Sequence, residues 1–150
     1  MADPRFFRMT SRWHLPYPRA RVFEVLADGE AYPQWWPQVR EAIGIDERTG
    51  TARLRSLMPM SLRVRVAEQV RDAGRGELRA GLDGDLEGWS CWQISDDVGG
   101  LSTTVDFTQE VLLRKNFPAW TIAVARPVLW LNHRYMMWAG RRGLQRHLGS

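Results

Sequence analysis

Seven alternate positions, Leu101, Thr103, Val105, Phe107, Gln109, Val111 and Leu113, form a mainly apolar row opposite Ser102, Thr104, Asp106, Thr108 and Glu110. A side-chain period of two over so long a run belongs to a β-strand with one dry and one wet face, the pattern of an antiparallel sheet covered on one side. Further alternating runs occupy 39–46, 51–58, 61–70, 76–82 and 85–95, with Gly50, Pro59, Gly74, Gly84 and Gly99-Gly100 in the gaps. Successive hairpins are therefore expected. Within 85–95, Leu86, Gly88, Ser90, Trp92 and Ile94 share one parity and Glu87, Trp89, Cys91 and Gln93 the other. Trp92 is expected to face inward and Trp89 outward, which leaves Cys91 a structural bystander. Residues 6–15 place Phe7, Met9, Ser11 and Trp13 on one parity, a first strand that Pro16 and Pro18 stop.

The pattern changes after Pro18. Val22 and Leu26 lie one helical turn apart, Phe23 and Val25 widen the stripe, and Asp28-Gly29 ends it, which predicts a short amphipathic helix. In Tyr32-Pro33-Gln34-Trp35-Trp36-Pro37 two prolines bracket two tryptophans, leaving room for one or two helical turns with the rings inward. From Phe117 to Leu148 no glycine precedes Gly140, and a long helix interrupted or bent near Pro127 is expected. Its second half puts Leu129, Asn132, His133, Met136, Gly140, Gly143 and His147 on one side and Arg134, Arg141, Arg142 and Arg146 on the other, so one face packs on the sheet.

A chain of 150 residues fits one domain, 1–150. The single cysteine excludes an intrachain disulfide and a thiolate-based zinc site, and His14, His133 and His147 lack ligand spacing, so neither metal nor cofactor is expected. The N-terminus lacks an apolar signal core and no uncharged run approaches the ~20 residues of a spanning helix, which points to a cytoplasmic protein without membrane insertion. A net charge of +4 suggests nucleic acid, yet the basic residues are scattered and all but Lys115 are arginines, which speaks against it. The eight tryptophans suit cavity walls and interfaces.

The order of strand, two short helices, six strands and one long C-terminal helix resembles the START-like, or Bet v 1-like, superfamily. Segment 18–37, with its helix followed by Tyr32-Pro33-Gln34-Trp35, is similar to the opening of the polyketide cyclase/dehydrase branch. Gly84-Asp85-Leu86-Glu87-Gly88 followed by Trp92, and Arg126-Pro127-Val128 followed by Asn132-His133 and Met137, resemble it as well. Tyr32–Pro37 also resembles a segment of START-like self-resistance proteins from enediyne pathways. The resemblance implies an α+β helix-grip fold: a curved seven-stranded antiparallel sheet wrapped around the last helix, two short helices between strands 1 and 2, and a ligand cavity.

Function must come from the site, because this superfamily hosts cyclases, carriers and binding proteins alike. The resemblance places the branch's catalytic arginine at Gln69 and its tyrosine near Val39, and neither replacement exchanges a proton at neutral pH. His133 is the one remaining candidate for acid or base. Trp35, Trp36, Gln69, Trp92, Phe107, Asn132 and Met136 are expected to form the binding site, helped by inward glycines at 88, 140 and 143 that leave the core under-filled. Alternation puts Arg63 and Arg65 outside, whereas an inward Gln69 on an unbroken strand would turn them inside, and a one-residue bulge would reconcile the two. The expected function is binding of a bulky hydrophobic, polycyclic or polyketide-derived metabolite in secondary metabolism, with carriage, sequestration or assisted product folding as roles. An aromatase/cyclase is the alternative, and a lipid or membrane-surface module working through Trp120, Trp130 and Trp138 the second. Trp138 among Arg134, Arg141 and Arg142 suggests an acyl-carrier protein as a partner; the expected state is a monomer or weak dimer.

Overall fold

The computed structural model describes residues 5–55, 61–114 and 119–149. The long alternating run becomes β7 (Thr103–Leu113), flanked in the sheet by β1 (Phe6–Leu15) and β6 (Leu86–Asp96). Beyond β6 follow β5 (Glu77–Gly84), β4 (Ser61–Asp72), β3 (Thr49–Arg55) and β2 (Val39–Gly44), in the order β1-β7-β6-β5-β4-β3-β2, each pair antiparallel. Because every strand except β1 pairs with its sequence neighbour, the chain builds the sheet by successive hairpins. It closes by laying β1 on β7, from Phe6 opposite Leu112 to Leu15 opposite Thr103.

Two short helices cross between β1 and β2. Helix α1 (Arg19–Ala27) starts where the Pro18 carbonyl accepts from the Arg21 and Val22 amides, and it buries Val22 and Leu26 as their spacing requires. A 3-10 turn (Gly29–Ala31) leads into α2 (Tyr32–Trp35), a single turn that Pro33 starts and Pro37 cannot prolong. Helix α3 (Ala119–Gly149) then runs along the concave face of the curved sheet with Pro127 inside it. The expected helix start at Phe117, the gap at Pro59 and the end of the 51–58 run lie outside the described residues.

Parity holds through the inward faces of the sheet. Trp13 and Leu15 of β1, Trp92 and Ile94 of β6, and Val105 and Phe107 of β7 share one buried core with Val22, Leu26, Leu144 and Leu148. Phe7, Val64, Leu86, Val111 and Leu113 gather with Ile122 in a second cluster. Two expectations fail locally. Leu101 is exposed, because the turn through Gly99 and Gly100, both at positive φ, ends only at Thr103. Gly50 lies inside β3 opposite Gly44 and Val66 rather than in a gap.

Candidate functional site

The rings of the two-proline segment meet those of the sheet. Trp35 stacks on Trp36 at 5.4 Å and 18°; Trp36 lies 6.2 Å from Trp92, Trp92 4.5 Å from Phe107, and Phe107 6.1 Å from the His133 imidazole at 22°. Trp13 backs this chain against Trp36 and Trp92. The polar edges are tied down: Trp36 Nε1 donates to the Met136 carbonyl (2.9 Å), Trp92 Nε1 to the Tyr32 hydroxyl (3.1 Å), and that hydroxyl to the Leu26 carbonyl (2.6 Å). Burial pushes the Tyr32 phenol well above its ordinary pKa, so it stays a protonated donor.

The Tyr32, Trp36, Trp92, Phe107 and His133 rings wall a cavity of about 730 Å³ between sheet and α3, within the range of small-molecule sites. Trp36, Trp92, Phe107, Asn132, His133 and Met136 all line it. Exposed lining residues, among them Glu24, Asp28, Glu30, Glu47 and Arg71, place the open rim between the end of α1 and the β2–β3 turn. There Arg71 donates to the Ala27 carbonyl (3.1 Å) and pairs with Glu68 (3.1 Å), tying β4 to α1.

Two of the expected site residues lie elsewhere. Trp35 is buried behind Trp36, its ring against Tyr32 at 4.8 Å, and does not reach the cavity. Gln69 points away from the cavity: the register slips between Glu68 and Val70, and Gln69 accepts on the outer face from Arg79 Nε (3.1 Å), whose guanidinium covers Trp89. Glu68 and Val70 line the wall instead. The bulge exists, yet it does not turn Gln69 inward, and Arg63 and Arg65 are exposed as alternation requires. The inward glycines also act otherwise than expected. A Cβ at Gly140 would lie 2.7 Å from the Trp36 ring, and one at Gly143 would overlap the Trp35 carbonyl, so both seat the tryptophan pair against α3. The empty volume lies against small residues of the sheet, Ala42, Ala52, Ala80 and Ser90, which sequence reasoning missed; Ala42 faces inward only because the register shifts between Val39 and Glu41.

His133 is the chemically distinctive group of the cavity. It is buried, and its Nε2 has no hydrogen-bond partner among the described residues. Burial lowers its pKa from 6.5 to about 4, so the imidazole is neutral at pH 7. A neutral ring can offer one donor and one acceptor to a ligand hydroxyl or carbonyl, but it is a weak base. Asn132 lies beside it on the same wall with Nδ2 3.8 Å from the Met136 sulfur.

A sheet wrapped on one long helix around an aromatic-lined cavity defines a helix-grip protein of the START-like class. A family profile described as polyketide cyclase / dehydrase and lipid transport matches residues 15–139, and the chain belongs to that family. Solved structures share the fold. The Zhui aromatase/cyclase from Streptomyces sp. R1128 superposes with a TM-score of 0.77 at 15% identity, covering 96% of this chain and 94% of that one. A START superfamily protein from Mycobacterium smegmatis gives 0.74 at 14% identity over 95% and 97% of the two chains. A conserved protein from Geobacillus kaustophilus gives 0.79 at 9% identity over 95% of each. No curated protein sequence matches the chain significantly.

Proposed function

We propose that the protein binds a bulky, largely apolar aromatic metabolite of polyketide type in this cavity, with one ligand hydroxyl or carbonyl hydrogen-bonded to His133 Nε2. The observation that carries the reading is the conjunction of a cavity walled by the Trp36–Trp92–Phe107 rings with a single buried, unpartnered imidazole nitrogen. Flat ligand rings gain offset stacking on such walls. Leaving a buried polar atom unpaired costs about 1–3 kcal/mol, which a ligand oxygen at Nε2 recovers. Carriage or sequestration inside the cytoplasm follows as the role, and the family's name and its aromatase/cyclase neighbour support a ligand of polyketide origin.

A hydroxyanthraquinone titrated into the protein should quench tryptophan emission, since Trp36 and Trp92 form the wall. His133→Phe should weaken that binding by roughly two- to tenfold, the net worth of one neutral hydrogen bond. Emission unchanged at high micromolar ligand would overturn the proposal. The cyclase reading rests on the same His133 acting as proton carrier; it requires His133-dependent turnover of a poly-β-keto substrate above the spontaneous rate, which a neutral, low-pKa imidazole serves poorly near pH 7.

A further inference from the structure

The outward side of α3 carries a surface that the cavity does not use. Trp120, Val124, Val128, Leu131, Tyr135 and Trp138 are all exposed, from 45% for Tyr135 to 76% for Val124. At about 100° per residue they fall within one sector of roughly 80°, directly opposite the row that faces the cavity, and they extend about 27 Å along the axis. Exposed apolar rows of this length mark an interaction site.

Charge identifies the occupant. Helix α3 contains Arg126, Arg134, Arg141, Arg142 and Arg146 and no aspartate or glutamate. The rest of the chain has sixteen basic against seventeen acidic side chains, so the whole positive surplus resides in this one helix. Arg134 stacks over Trp130 and Arg142 over Trp138, each at 5.0 Å, and Tyr135 stacks on Trp138 at 5.9 Å. Among the described residues, Arg134, Arg141, Arg142 and Arg146 form no ion pair.

We infer that the outward face of α3 docks on an anionic lipid surface, with its apolar row at the acyl boundary and its arginines among the phosphates. A second copy of the chain fits poorly, because two acid-free helices would set arginine against arginine. A protein partner's anchors typically cluster in a compact, rimmed patch, whereas these side chains form a long convex line suited to a surface that deforms around it. Tryptophan and tyrosine flanked by arginine form the composition of a helix lying in the membrane interface. No described helix is long and apolar enough to cross a membrane, so α3 would lie on the surface. The inference is independent of what the cavity binds.

Flotation with vesicles of pure phosphatidylcholine and of equimolar phosphatidylcholine and phosphatidylglycerol tests it. The protein should bind the anionic vesicles at least about tenfold more tightly than the neutral ones, lose that preference as salt rises, and show a blue shift of tryptophan emission. Arg141→Gln/Arg142→Gln should reduce the anionic preference, and Trp120→Ser/Trp138→Ser should abolish vesicle binding; circular dichroism melting confirms that both variants fold. Equal binding to both vesicle types, or wild-type vesicle binding by the Trp120→Ser/Trp138→Ser variant, would overturn the inference. So would a wild-type dimer that this variant dissociates, or binding to a purified acyl-carrier protein without vesicle binding, since either assigns the face to another occupant.

Discussion

Replacing Gly143 by alanine sets two effects of known sign against each other. Alanine in a helix interior is favoured over glycine by about 1 kcal/mol. At this position, however, the new Cβ would overlap the backbone carbonyl of Trp35. A main-chain oxygen cannot swing aside as a side chain can, so α2 must retreat by more than an ångström and loosen the seat of both Trp35 and Trp36. Overpacking costs about 1–3 kcal/mol, and loss of contact around two buried indoles adds to it, so Gly143→Ala should destabilise by about 3 kcal/mol net. At Gly140 the obstacle is the Trp36 ring at 2.7 Å, which can tilt at the expense of its 2.9 Å bond to the Met136 carbonyl; a net loss of about 1–2 kcal/mol follows. For a domain of this size each kcal/mol lowers the melting temperature by about 2–4 °C. Thermal melts followed in the near ultraviolet, where the clustered indoles dominate, should therefore rank wild type above Gly140→Ala and that above Gly143→Ala. A Gly143→Ala protein melting at or above wild type would show that helix propensity prevails and that the glycines do not seat the tryptophans.

His133 gives a pH dependence of definite sign: the unfolded chain protonates it from its ordinary pKa of 6.5 downward, while the folded protein resists until about pH 4. Stability should thus fall by up to about 3 kcal/mol as pH drops through that window, and denaturant titrations at several pH values should find that loss missing in His133→Phe. Arg63→Gln/Arg65→Gln should change stability by only a few tenths of a kcal/mol in the same titrations, because both residues face solvent and Arg63 sits directly opposite Arg53. Ala80→Leu adds apolar atoms to a wall that has room for them, so it should leave the melting temperature unchanged or raised while weakening hydroxyanthraquinone quenching about tenfold or more.

Legibility in the sequence followed the range of the interaction. Strand faces were readable because period two is a local property, and Trp92, Phe107 and Trp89 lie on the sides that their parity assigned. Gln69 was misplaced because the family position argued for an inward side chain, whereas the slip between Glu68 and Val70 leaves the residue between them paired with Arg79 outside. Trp35 and Trp36 are neighbours of one type, and no one-dimensional pattern tells which of them meets the cavity. The choice is made a hundred residues away, where the Met136 carbonyl accepts from Trp36. The depressed basicity of His133 was equally out of reach, since it arises from the rings and strands that enclose it.

The inward glycines show why the location of empty space has to be argued from both sides of a cavity. A residue without a side chain leaves a void only if nothing else fills its place; the Trp36 indole fills it at Gly140 and the Trp35 main chain at Gly143. Of this pair only the Trp36 ring reaches the cavity, and the small residues Ala42, Ala52, Ala80 and Ser90 leave part of the sheet wall recessed. Filling the recess would increase apolar contact and so favour the folded state, at roughly 25 cal/mol per Å² of surface removed from water. A chain shaped by stability alone would carry larger residues there. Keeping the recess forgoes that gain, and a flat ligand resting on Trp36 and Trp92 would recover it by burying the same surface.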